Sequence, residues 1–119
     1  MQNYAFQPMT DATHGLLPPL VLTVATAGTA VTGNLPPANS GAQAIPQQLY
    51  IFNETTSVAQ VNIGTAAQIA AYPASPTIGI DIPAGGFKVI TIDPEATTAS
   101  AVAGAAGTGV IKIYRGEGT

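Results

Sequence analysis

The chain is predicted to be all-β, an antiparallel β-sandwich or barrel of jelly-roll-like character with an extended N-terminal arm. Three observations predict it. Short β-branched runs recur between clusters of turn residues at roughly the 8 to 12 residue spacing of small sandwiches and barrels. Ile78, Ile80 and Ile82 alternate with Gly79 and Asp81, a period of two that belongs to a half-buried strand. No stretch sustains a long helical period, so the crossover helices that parallel sheets require are lacking.

The length, 119 residues, suits one domain and one core. Residues 1–19 read as an arm, and residues 20–119 as a single sandwich domain. The arm carries Pro8, Pro18 and Pro19 with no sustained period, and it also carries Tyr4, Phe6 and Met9. Three large apolar side chains in six positions are unusual for a solvated tail, so they are expected to anchor the arm on a partner protein. The alternative is a strand fragment that closes the domain's own sheet.

The elements follow in order. Leu20 to Ala25 is β-branched and bounded by proline and glycine, a first strand. Thr29 to Leu35 is a candidate hairpin partner across Ala27-Gly28, and Pro36 to Gly41 is a loop. Leu49 to Phe52, then Ala59, Val61 and Ile63 alternating with Gln60 and Asn62, predict a second hairpin across the polar turn 53–56. Pro73 and Pro76 confine any helix in Thr65 to Tyr72, which reads as loop or a single helical turn. Ile78 to Ile82 and Phe87 to Ile92 predict a third hairpin across Pro83-Ala84-Gly85-Gly86. Thr97 to Thr108 is a weak strand whose alanines admit close packing, and Val110 to Tyr114 is the last strand.

Charge narrows the function classes. Charged residues are 8% of the chain, against about a quarter in an ordinary soluble domain. A surface this neutral, with 46% hydrophobic residues, is expected to be covered by neighbouring subunits. Lys88, Lys112 and Arg115 are the only bases, too few to neutralise a row of phosphates, so nucleic-acid binding is not expected. The absence of cysteine excludes disulfides, thiolate metal sites and a cysteine nucleophile. Met1-Gln2-Asn3-Tyr4 does not open a signal peptide, and no run approaches the roughly 18 apolar residues of a membrane span. Neither secretion nor membrane attachment is therefore expected of the sequence itself.

Candidate chemistry is sparse. His14, the single histidine, sits in the proline-bounded arm with no visible partner for general-base work. Asp81, Asp93 and Glu95 would suit calcium if folding brought them together, but such acids more often form Asx turns and solvated caps. Gly104 to Gly109 lacks the lysine and following helix of a phosphate loop and reads as a connection. Asn53-Glu54-Thr55 matches a glycosylation sequon, which has meaning only in a eukaryotic secretory pathway. No catalytic residue, cofactor or metal is assigned.

The strand Leu49-Tyr50-Ile51-Phe52-Asn53, the turn Ile82-Pro83-Ala84-Gly85-Gly86 and the following strand Phe87-Lys88-Val89-Ile90 together resemble a recurrent ending in small virion proteins of tailed phages and prophages. The resemblance continues through the Ala-rich segment, the Gly107-Thr108-Gly109 strand start and the Arg115-Gly116-Glu117-Gly118 tail. It spans residues 47–118 and leaves residues 1–46 outside. It implies a non-enzymatic structural protein, made in the host cytoplasm and incorporated into the particle. Its expected role is capsid cement or decoration, binding the major capsid protein or another virion protein. A trimer is expected from icosahedral geometry. The alternative is a tail-associated or receptor-facing adhesion module using the loops Asn34 to Ala44 and Thr65 to Thr77.

Overall fold

The computed structural model describes residues 7–8, 10–11, 15–16, 18–36, 47–93 and 95–117. Within the arm, β1 (Gln7–Pro8), β2 (Thr10–Asp11) and β3 (Gly15–Leu16) are two-residue strands. The domain follows with β4 (Leu20–Val24), β5 (Val31–Asn34), β6 (Gln47–Asn53), β7 (Ala59–Gly64), α1 (Ala66–Ala71), β8 (Ile80–Ile82), β9 (Phe87–Ile92), β10 (Thr98–Ala103) and β11 (Gly109–Glu117).

Two antiparallel sheets face each other. Sheet I has the order β4-β11-β6-β9, and sheet II the order β5-β10-β7-β8. The pairs β4·β11, β5·β10, β6·β9 and β7·β8 are nested, as if the chain were doubled back at α1 into one long ribbon and then rolled. Rolling adds the pairs β6·β11 and β7·β10. This is the jelly-roll order, so the predicted fold class holds. In the arm, Gln7 and Pro8 run antiparallel to Glu117 and Gly116 on the edge of sheet I, and β2 pairs with β3.

The three predicted hairpins are corrected by this topology. β4 and β5, β6 and β7, and β8 and β9 each lie in different sheets. The period of two reports which side chains point inward, and both strands of each pair do point at one core, but from opposite walls. Corner chemistry decides the route. The Gly28 N–H donates to the Ala103 carbonyl of sheet II at 3.0 Å, which carries the chain over from β4. At the next corner the Asn53 side chain, fully buried, donates from Nδ2 to the Ser57 and Ile82 carbonyls, both at 2.9 Å. Its Oδ1 accepts from the Thr55 N–H at 2.9 Å and the Thr55 hydroxyl at 2.6 Å. The Asn53 backbone meanwhile exchanges hydrogen bonds with Gly85 and Gly86, locking the corner 83–86 to the corner 54–58. An amide with both donors and its acceptor satisfied is a low-cost polar group to bury.

The core between the sheets is aliphatic. It is built from Leu22, Val24, Leu49, Ile51, Val61, Ile82, Ile111 and Ile113, with Ala99, Ala101 and Ala103 of β10 opposite. β10 is buried along its whole length, the close packing its alanines were expected to allow. Of the alternating isoleucines, Ile82 is fully buried and Ile80 packs against the core, whereas Ile78 precedes the strand and is half-buried. Arg115 also points inward, and its Nη1 donates to the Pro36 carbonyl at 3.0 Å. Burial lowers its guanidinium pKa from the ordinary value through desolvation.

Candidate docking face and lateral cleft

The two outer faces of the sandwich are treated differently. Over sheet II lies the segment 65–79. Thr65 caps α1 through a reciprocal pair: the Gln68 N–H donates to Thr65 Oγ1 at 3.2 Å, and the Thr65 N–H donates to Gln68 Oε1 at 2.8 Å. This Thr-x-x-Gln box is the signal that makes six helical residues where the sequence predicts loop or one turn. Two side chains of sheet II then fasten the segment. Asn62 Nδ2 donates to the Tyr72 carbonyl at 2.8 Å, and Ser100 Oγ accepts from the Ala74 N–H at 3.1 Å. Ile69 and Ala74 are buried beneath it.

Sheet I has no such cover among the described residues, and two adjacent outward rows are mostly aromatic and apolar, flanked by Thr23, Gln48 and Thr91. The register places Val21, Lys112, Phe52 and Phe87 in one cross-strand row, and Tyr114, Tyr50 and Val89 in the next. Tyr50 stacks on Phe87, with ring centroids 5.0 Å apart and planes at 10°, and meets Tyr114 edge-on at 6.0 Å. Phe87 is 56% exposed, Val21 47% and Val89 39%. Lys112 pairs with Glu54 at 3.3 Å, half-exposed, so the charge on this face is matched within the chain. The buried hydrophobic residues include no aromatic. Of the five described aromatic side chains, Tyr50, Phe52, Phe87 and Tyr114 stand on this face, and Tyr72 lies in the cover of sheet II.

Sequence reasoning did not assign this face. Its signal is in the alternation of Leu49-Tyr50-Ile51-Phe52, where aliphatic residues take one side and aromatic residues the other. The anchors expected instead, Tyr4, Phe6 and Met9, lie outside the described residues, as does His14.

A cleft of about 370 Å³ opens at the side of the sandwich, between the β7–β8 edge and β9. Asp93 and Glu95 line it, and Asp93 Oδ1 accepts from the Glu95 N–H at 3.0 Å, the Asx turn expected of such acids. Asp81 is elsewhere, exposed and accepting from Gln60 Nε2 at 3.1 Å. Among the described residues no three His, Cys, Asp or Glu side chains gather as a metal site. The sequon residue Asn53 is a buried corner residue with its amide fully engaged, so it is closed to glycosylation as folded. Gly104 to Gly109 is a tight corner: the Gly104 N–H donates to the Val58 carbonyl at 2.9 Å, and a side chain at Gly107 would collide with Ser57. No helix among the described residues is long and apolar enough to cross a membrane. Comparison with protein-family models, curated proteins and solved structures finds no match to the chain in any of the three.

Proposed function

We propose that the chain is a non-enzymatic structural protein of a tailed-phage particle, a capsid cement or decoration protein that attaches through the outer face of sheet I. The observation that carries this reading is the sorting of aromatic residues. Aromatic side chains are the largest contributors to core burial and also the commonest anchors of interfaces. Here the core takes none of those described, and four stand together on a sheet face that no described segment covers. The low charge of the chain supports the same reading, since a free surface this neutral favours association. The phage assignment itself rests on the resemblance across residues 47–118. The jelly-roll order is compatible with it without carrying it, because capsid proteins, lectins and cupins share that order.

The partner under this reading is the major capsid protein or another virion protein, and the trimeric state follows from threefold positions in an icosahedral shell. The tail-associated adhesion reading has weaker support. One of its two loops, Thr65 to Thr77, is strapped to sheet II and not free to adapt to a receptor.

Immunogold labelling of intact particles from the phage or prophage that encodes the chain tests the proposal. Label on heads is the expected result. Label on tails favours the adhesion module, and absence from particles refutes both. The Val21→Ser/Phe87→Ser variant tests the face: it should fold normally yet bind heads roughly 1,000-fold more weakly, at about 2 kcal/mol per lost anchor.

A further inference from the structure

The lateral cleft has a wall made of an unfinished ladder. β8 pairs with β7 through Ala59↔Ile82, Gln60↔Asp81 and Val61↔Ile80, and then stops. The same register would set Ile78 opposite Ile63. Ile78 instead exchanges both backbone hydrogen bonds with Ser75, at 3.1 Å each. The chain peels away at Gly79, whose φ of +111° turns it off the sheet. The Ile63 N–H is left to the neighbouring side chain, donating to Asn62 Oδ1 at 3.1 Å. Across the cleft stands β9, itself the last strand of sheet I. The cleft's volume, about 370 Å³, falls within the roughly 300–1,000 Å³ of clefts that take small ligands.

The lining has a definite chemistry. Ile80, Ile90 and Ile92 supply apolar wall, Asp93 and Glu95 supply two carboxylates, and no lysine or arginine lines the cleft. We propose that the cleft accepts an extended segment of another polypeptide as an added strand on β7. The segment continues the ladder at Ile63, places a β-branched side chain among the isoleucines, and sets a lysine or arginine beside Asp93 and Glu95. The charges also select the source. Residues 1–19 of this chain contain no lysine or arginine, so the arm of a second copy lacks the cation that the cleft calls for. A glycan fits less well, because sugar rings are usually held against aromatic faces and no aromatic residue among those described lines the cleft. The inference is independent of the phage reading, since it concerns the space between the sheet edges and not the outer face of sheet I.

The test is an NMR titration of the ¹⁵N-labelled full chain with acetyl-Val-Lys-Val-Lys-Val-amide. Parallel titrations use the same peptide with glutamate for lysine, the lysine peptide N-methylated at its central valine, and maltotriose. Saturable shifts confined to residues 61–65 and 90–96 are expected with the lysine peptide alone. Affinity should fall at least tenfold in Asp93→Asn/Glu95→Gln, where the amide that replaces the Asp93 carboxylate keeps an oxygen to accept the N–H of residue 95. N-methylation should abolish binding, because it removes a strand donor. The proposal is overturned by no saturable shift with the lysine peptide, an equal response to the glutamate peptide, unchanged affinity in the double variant, or shifts with maltotriose only.

Discussion

Replacing Asn53 by alanine should be among the most damaging single changes to this fold, and the cost can be worked bond by bond. The side chain makes four hydrogen bonds at a site with no solvent exposure. In the variant the Thr55 hydroxyl loses Asn53 Oδ1 but still has the Ser57 carbonyl at 2.9 Å, so that pair re-forms. The Thr55 N–H and the Ile82 carbonyl are then left without the partner they had. A buried group stranded in this way costs about 1–3 kcal/mol, so the two together predict a loss of about 2–6 kcal/mol. That is a large part of the roughly 5–15 kcal/mol that holds a domain of this kind together. Urea unfolding followed by tyrosine fluorescence and circular dichroism reads the change as a lower midpoint at unaltered slope. Asn53→Asp should be at least as severe, since it keeps the acceptor but turns a carboxylate toward two carbonyls. A loss below about 1 kcal/mol for Asn53→Ala would mean that water replaces the amide, and that the corner does not direct β6 and β7 into separate sheets.

Three further outcomes are expected. Ile80→Asp should fail to give folded protein, because it sets a charge against the core without a partner, and soluble folded variant by circular dichroism would contradict the inward assignment of β8. Gly79→Ala should cost about 2–4 kcal/mol in the same urea assay, since its Cβ would lie 2.6 Å from the Val61 carbonyl oxygen at a φ of +111°; Gly85→Ala, at φ +73° with nothing within 4 Å, should cost only about 1–2 kcal/mol, and equal losses would remove the steric argument. Residues 20–119 expressed alone should stay folded and soluble yet lose attachment to particles if Tyr4, Phe6 and Met9 act as anchors. Insoluble protein would instead make the pairing of Gln7–Pro8 with β11 a needed edge cover, and soluble protein with normal attachment would leave the anchors without a role.

Facing was legible in the sequence, and partnership was not. Val61 and Ile82 follow from a count of two along their strands, which depends only on the pleat, and both are buried. Whether β6 pairs with β7 or with β9 depends on contacts between residues far apart in sequence. The deciding group, the Asn53 amide, looks locally like a sequon or an ordinary turn asparagine. Its reach to Ile82, 29 positions away, has no local signature. The segment Pro83-Ala84-Gly85-Gly86 misleads for a related reason. Its proline and glycines do make a reversal, but Gly85 and Gly86 bond to Asn53 and so aim that reversal across the sandwich. The proposed docking face is half legible: Tyr50 and Phe52 declare the outward side of one strand. That Phe87 and Tyr114 join them requires β9 and β11 to flank β6, which only the rolled topology supplies.

The same topology explains why the aromatic residues are outside. β10 is the central strand that faces sheet I from sheet II, and its inward positions are Ala99, Ala101 and Ala103. Small side chains on one wall let the sheets approach, and Leu, Ile and Val from the other wall then fill the space. A ring inserted there would overpack the interior and force strained rotamers, typically at a cost of about 1–3 kcal/mol. The Ser100 and Thr98 positions on the opposite side of β10 are buried too, under the segment that α1 begins. The middle of sheet II is therefore buried on both faces, with the polar Thr32, Asn34 and Asp81 exposed at its margins, and among the described residues the aromatic side chains that stand on a sheet gather on the outer face of sheet I. Such a placement works against a solitary monomer, because exposed rings on a flat sheet promote association. Their concentration on one face, beside an edge strand whose charged side chain is Lys88, is what the proposed attachment through that face requires.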